Sequence, residues 1–209
     1  MAEIEKAAKS ANRKPEDIVL VAACKTQPNE IIDAALAAGQ KIFGENRVAE
    51  AYEHFEGRDL AGVELRMIGS LQSKKAEDAV AIFDVIESLD RPSLALALSS
   101  AMQKLGKTPK LLVQVNIGDE PQKSGISVPQ LPKFLEDLQG EYGLQVSGLM
   151  CIPPARQPAG PYFALMRKLA DRHHLQELSM GMSDDFKIAI QFGATHIRIG
   201  SALFGERTN

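Results

Sequence analysis

The sequence predicts an α/β fold, a closed (β/α)8 TIM barrel, from three observations. Short apolar runs alternate with amphipathic helical stretches along the whole chain, and strict alternation of this kind demands a parallel sheet. Eight strand-like runs occur, their starts roughly 25 residues apart, which is the size of a compact βα unit. Glycines and small polar residues recur just after the strand-like runs, where barrels carry their ligand-binding loops. An open doubly wound sheet shares the alternation and is the alternative.

Residues 3–11 read as a short amphipathic helix, followed by a Lys14-Pro15-Glu16-Asp17 link. Ile18 to Ala23 is an apolar run of the kind buried on both faces in a parallel sheet. Alternation along it places Val21, Ala23 and Lys25 on one face and Leu20, Ala22 and Cys24 on the other. Pro28 blocks continuation and suits a first helical turn. Ile31, Ile32, Ala35, Leu36 and Ala38 then recur at helical spacing until Gly39. Further strands are predicted to begin near Lys41, Glu64, Ile82, Lys110, Leu144, Glu177 and Thr195. Helices fall between them, near 45–55, 72–80, 92–105, 128–139, 161–172 and 184–192. No linker, low-complexity segment or charge block interrupts the pattern, so residues 1–209 read as a single domain.

Composition narrows the function classes. A net charge of −3 without a basic run argues against nucleic acid as a partner. No apolar segment is long enough to span a bilayer, and Met1-Ala2-Glu3-Ile4-Glu5-Lys6 lacks a signal-peptide core. A cytoplasmic protein without membrane contact is the expectation, with a monomer as the simplest assembly. Cys24 and Cys151 follow apolar strands and read as small core residues. His54, His173, His174 and His196 show no metal-ligand spacing, so no metal site is expected.

The chemistry concentrates after the strands. Lys25 ends strand one, with small Ala23 beneath it leaving room for a ligand; alternatively it simply enters a solvated loop. After strand eight, Gly200 permits close backbone approach, Ser201 offers a hydroxyl, and the following turn presents N–H groups to an anion. After strand seven, Ser179 and the Gly181-Met182-Ser183 turn can do the same. The competing reading of Ser183 is a plain helix cap with Asp184 and Asp185 at the positive end. On strand eight, His196, Arg198 and Gly200 share a face, and a guanidinium aimed into a barrel must be paired. Its partner is either a strand-end carboxylate, such as Glu45 or Glu87, or a ligand's ring nitrogen or acidic group. A lysine, a phosphate site and an arginine so disposed suit a phosphorylated aldehyde held as a Schiff base.

These residues lie in motifs that carry a resemblance. They are Val21-Ala22-Ala23-Cys24-Lys25-Thr26, Phe43-Gly44-Glu45-Asn46, Ile68-Gly69-Ser70-Leu71-Gln72-Ser73, Val113-Gln114-Val115-Asn116-Ile117 and Lys123-Ser124-Gly125-Ile126. Further on stand Gly148-Leu149-Met150, Leu178-Ser179-Met180-Gly181-Met182-Ser183-Asp184-Asp185-Phe186 and Arg198-Ile199-Gly200-Ser201-Ala202-Leu203-Phe204-Gly205-Glu206-Arg207. In this order they resemble the YggS/PROSC family of pyridoxal 5′-phosphate homeostasis proteins, single-domain relatives of the alanine racemase N-terminal barrel and fold-type III PLP proteins. The resemblance implies that Lys25 forms the internal aldimine with pyridoxal 5′-phosphate. It implies that Ser179, Met182, Ser183, Gly200 and Ser201 surround the phosphate, that Arg198 faces the pyridine nitrogen, and that Asn46 and Met150 line the ring. Cys24 stands where the family usually has serine, Arg47 where an aromatic is common, and Arg66 and Lys74 where histidine and asparagine are usual.

Three function classes follow: a non-catalytic carrier that buffers or supplies the cofactor, including to PLP-dependent apoenzymes; an amino acid racemase; and a cofactor-free Schiff-base aldolase. A racemase needs an acid or base on each face of the substrate α-carbon. Tyr52, Tyr142 and Tyr162 fall on a helix, before a strand and in a loop-to-helix segment, and offer no evident second-face partner to Lys25. An arginine at the ring nitrogen also weakens the cofactor as an electron sink. The carrier is the favoured expectation.

Overall fold

The computed structural model describes residues 1–205, so Glu206 and Arg207 of the last motif lie outside the described residues. In chain order the elements begin with α1 (Ala2–Ser10), β1 (Val19–Ala23), α2 (Asn29–Ala37), β2 (Ile42–Glu45), α3 (Val48–Phe55) and β3 (Glu64–Met67). They continue with α4 (Ala76–Ile82), β4 (Val85–Leu89), α5 (Pro92–Leu105), β5 (Lys110–Asn116), β6 (Ile126–Ser127), α6 (Leu131–Gly140) and β7 (Gly148–Cys151). The last are α7 (Gly160–Arg172), β8 (Glu177–Ser179), α8 (Phe186–Gln191), β9 (His196–Ile199) and α9 (Ser201–Phe204). The sheet runs β4-β3-β2-β1-β9-β8-β7-β5, and pairing of β4 with β5 closes it into a parallel eight-stranded barrel. The closed form, not the open sheet, is therefore what the alternation produces. The two-residue β6 is an addition the sequence did not announce, pairing with the end of β5 beside the barrel.

Register fixes which side chains point inward. Ala23 lies opposite Gly44, Gly44 opposite Arg66, Gln114 opposite Met150, Met150 opposite Ser179, and Val21 opposite Arg198. Alternation then sends Ala22, Cys24, Phe43, Glu45 and Cys151 outward beneath the helices, where the main core sits. A separate apolar cluster of Val85, Leu112 and Met150, with Ile152 against it, fills part of the barrel interior. Both cysteines are free and fully buried.

Two predicted strand starts shift inward. Ile82 is the last residue of α4, and β4 starts at Val85; Leu144 is a core side chain in the connection before β7. Apolar residues at an element's edge look alike in sequence whether they end a helix or open a strand. No helix among the described residues is long and apolar enough to cross a membrane.

Candidate functional site

The carboxyl ends of the strands open onto a cavity of about 810 Å³. β1 delivers Lys25 to its wall, half-buried, with Ala23 beneath. The chain turns away sharply at Thr26, whose φ of 61° lies in the left-handed region that non-glycine residues rarely adopt. β2 contributes Asn46, held close to the next loop because Gly69 carries no side chain: a Cβ there would stand 2.3 Å from the Asn46 carbonyl oxygen. On the other side of β1, its neighbour β9 supplies Arg198, Gly200 follows at the strand's end, and the loops after β8 and β9 bring Met182, Ser183 and Ser201.

Those two loops meet through their hydroxyls. Ser201 Oγ donates to Ser183 Oγ at 3.1 Å, and the Ala202 N–H points at the same Ser183 oxygen at 3.4 Å. Ser183 is not the helix cap that one reading made it: the cap residue of α8 is Asp185, whose carboxylate accepts the Met182 N–H at 2.6 Å. Asp184 remains on the cavity wall. Gly181, at φ +96°, packs so tightly that a Cβ would lie 2.5 Å from the Ala189 Cβ, which fixes the turn between Ser179 and Ser183.

Of the nine residues picked out from sequence, the fold gathers Lys25, Asn46, Met182, Ser183, Arg198, Gly200 and Ser201 on one cavity. Met150 and Ser179 are displaced from that wall. Both are fully buried: Met150 lies in the interior apolar cluster, and Ser179 lies beneath Arg198. Ser179 Oγ accepts from Arg198 Nη1 at 2.7 Å and donates to Glu87 Oε2 at 2.5 Å. Arg198 Nη2 donates to the Cys151 carbonyl at 2.9 Å.

Arg198 therefore reaches Glu87 only through a serine. Glu45, the other carboxylate considered as its partner, points outward and binds His54 Nδ1 at 2.6 Å. Sequence reasoning missed the chain below. Arg66 is 1% exposed, donates to Glu87 Oε1 at 2.6 Å and Glu64 Oε1 at 2.5 Å, and contacts His196 Nε2 at 2.9 Å. Its even spacing from Glu64 along β3 was the available signal, since it puts both on one face. Burial alone would lower the Arg66 pKa, but Glu87 and Glu64 more than offset this and raise it. Burial, reinforced by Arg66, Lys110 and Arg198, holds the pKa of His196 down at about 3, so the ring is neutral near pH 7. Arginine cannot accept a hydrogen bond, so His196 Nε2 must, leaving the proton on Nδ1 facing Thr195 Oγ1 at 2.8 Å.

Comparison with known proteins identifies the family. Residues 3–208 match the family described as alanine racemase, N-terminal domain. The pyridoxal phosphate homeostasis protein of Escherichia coli K12 is 38% identical, over 98% of this chain and 92% of its own length. PipY of Synechococcus elongatus, solved with PLP bound, superposes with a TM-score of 0.83 at 38% identity, covering 97% of this chain and 99% of PipY. An alanine racemase of Clostridium difficile, at 14% identity and a TM-score of 0.72, shares the fold over 99% of this chain and 56% of its own. This chain belongs to the alanine racemase N-terminal domain family and, within it, to the pyridoxal phosphate homeostasis proteins.

Proposed function

We propose that the protein binds pyridoxal 5′-phosphate reversibly and serves intracellular homeostasis of that cofactor without turning over a substrate. One observation carries the reading: Lys25, Arg198 and the Ser183–Ser201 pair face one cavity at the carboxyl end of the barrel. The donor set fits the group. Bound there, pyridoxal 5′-phosphate supplies an aldehyde to which amines add reversibly and a phosphate that takes charge-assisted hydrogen bonds. Lys25 is the amine that attaches the aldehyde. Ser183, Ser201 and the Ala202 N–H hold the phosphate, with Met182 and Gly200 shaping the space around it. Arg198, anchored from below, presents its remaining N–H groups to the ring nitrogen, and Asn46 flanks the ring.

The carrier reading is favoured over a racemase by the cavity wall itself. Its titratable side chains are Lys25, Arg47, Lys75, Asp184 and Arg198, with no tyrosine, histidine or cysteine on it among the described residues. Tyr52 instead reaches towards the Asp78 carbonyl, and Tyr162 bonds Gln157. Among the described residues Lys25 thus has no tyrosine or histidine on this wall to act from the second face in α-proton exchange. We further propose a cytoplasmic monomer, one domain over residues 1–209, whose partners are the cofactor and the apoenzymes that draw on it.

The test compares pyridoxal 5′-phosphate with unphosphorylated pyridoxal. Changing Ser183 and Ser201 together to alanine is expected to weaken the phosphorylated ligand by about 10–100-fold, with pyridoxal little affected. Equal losses for both would place the phosphate elsewhere. Loaded protein incubated with amino acids in deuterium oxide is expected to show no α-deuteration at enzymatic rates; turnover would make it a racemase or transaminase.

A further inference from the structure

Beneath the cavity, five polar side chains from four strands form one continuous chain: His196, Arg66, Glu87, Ser179 and Arg198. All are under a tenth exposed. Each carboxylate oxygen of Glu87 has its own partner, Arg66 on one side and Ser179 on the other. Arg198, by contrast, has no carboxylate within ion-pair distance among the described residues, and its two internal bonds go to a hydroxyl and a carbonyl. The negative charge of Glu87 is thus committed to Arg66, while a neutral serine passes orientation, but little charge compensation, up to Arg198.

We propose that Glu87 and Ser179 position Arg198 for the ligand's ring nitrogen, and that Arg66 sets how much of the Arg198 charge that nitrogen experiences. The proposal rests on the cofactor reading above. With Arg66 in place, Arg198 faces the cavity uncompensated and opposes a proton on the ring nitrogen. Without Arg66, the unpaired Glu87 carboxylate acts through Ser179 on Arg198, and the nitrogen becomes easier to protonate. The other charged groups around this layer are Lys25 and Asp184 on the cavity wall, and Glu64, Glu177 and Lys110 towards the opposite end of the barrel. His196 stays neutral and titrates only in strong acid.

Opposite charge changes separate positioning from mere packing. Protein loaded with ring-¹⁵N-labelled pyridoxal 5′-phosphate is followed by NMR from pH 5 to 9, reading the ring-nitrogen protonation directly. Arg66→Met is expected to raise the nitrogen's proton affinity tenfold or more, Glu87→Gln not to raise it, and the charge-compensated double variant to return it towards the native value. Shifts of one sign in all three, or none in Arg66→Met, would overturn the proposal. The double variant also guards against misfolding, since replacing a buried ion pair by uncharged side chains is tolerated where breaking it is not. A native protein that binds no cofactor would overturn the functional reading instead. The positioning claim would then be decided in the free protein by Arg198 guanidinium proton exchange. Slow exchange in the native chain, accelerated in Ser179→Ala, is expected; unchanged exchange would overturn it.

Discussion

Glu45 and Glu87 are both completely buried, on opposite sides of the same barrel wall. Glu87 points into the barrel and has each oxygen hydrogen-bonded, to Arg66 and to Ser179. Glu45 points out beneath α3, where one oxygen meets His54 and the other has no partner. Burial pushes Glu45 up to about 7 even against the lowering effect of His54. A barrel admits charge differently on its two faces. Inside, closure brings several strands' side chains to one point and an ion network forms; outside, the packed helix layer offers one partner, and protonation relieves the remainder.

Removing one partner of the inner pair has the largest expected effect. Arg66→Met alone is expected to cost about 3–5 kcal/mol in urea unfolding, because it leaves the Glu87 charge uncompensated in the barrel. The two sides also give opposite responses to pH. His196 binds its proton at about 3 when folded against 6.5 as reference, so the unfolded chain holds more protons between those values. Stability from this group is complete above pH 6.5 and is lost as pH falls towards 3, by an amount on the order of 4 kcal/mol that His196→Gln should remove. For Glu45 the sign reverses. It titrates at about 7 when folded against 4.5, so its contribution is complete below pH 4.5 and is lost as pH rises through 7. Glu45→Gln should abolish that slope, on the order of 3 kcal/mol between pH 4.5 and 8. Ser179→Ala, which removes a hydrogen-bonded link but no charge, should cost only about 1–3 kcal/mol.

The same wall shows what was legible in the sequence and why. The periodic apolar runs place the strands, and parity along β1 alone puts Ala23 and Lys25 on the inward face. Parity could also have eliminated Glu45 as a partner for Arg198, because Asn46 faces the cavity and its neighbour must face away. Meeting across the barrel is another matter. Glu87 and Ser179 are 92 residues apart, Arg66 and His196 130, and only strand order and stagger bring each pair together. Ser179 precedes the phosphate loops by only a few residues, and both this and the resemblance place it with them; the end of β8 instead buries it below Arg198. Small Gly181 makes that separation, turning the chain at a positive φ between buried Ser179 and half-buried Ser183.

The central claim is that Lys25 alone among the lysines attaches the cofactor. Borohydride reduction of loaded protein followed by peptide mapping tests it most directly, since Lys75 lies on the same cavity wall and serves as an internal competitor. We expect the pyridoxyl group on Lys25, with Lys25→Ala giving no specific adduct. An adduct on Lys75, or one spread over surface lysines with Lys25 unmodified, would contradict the account.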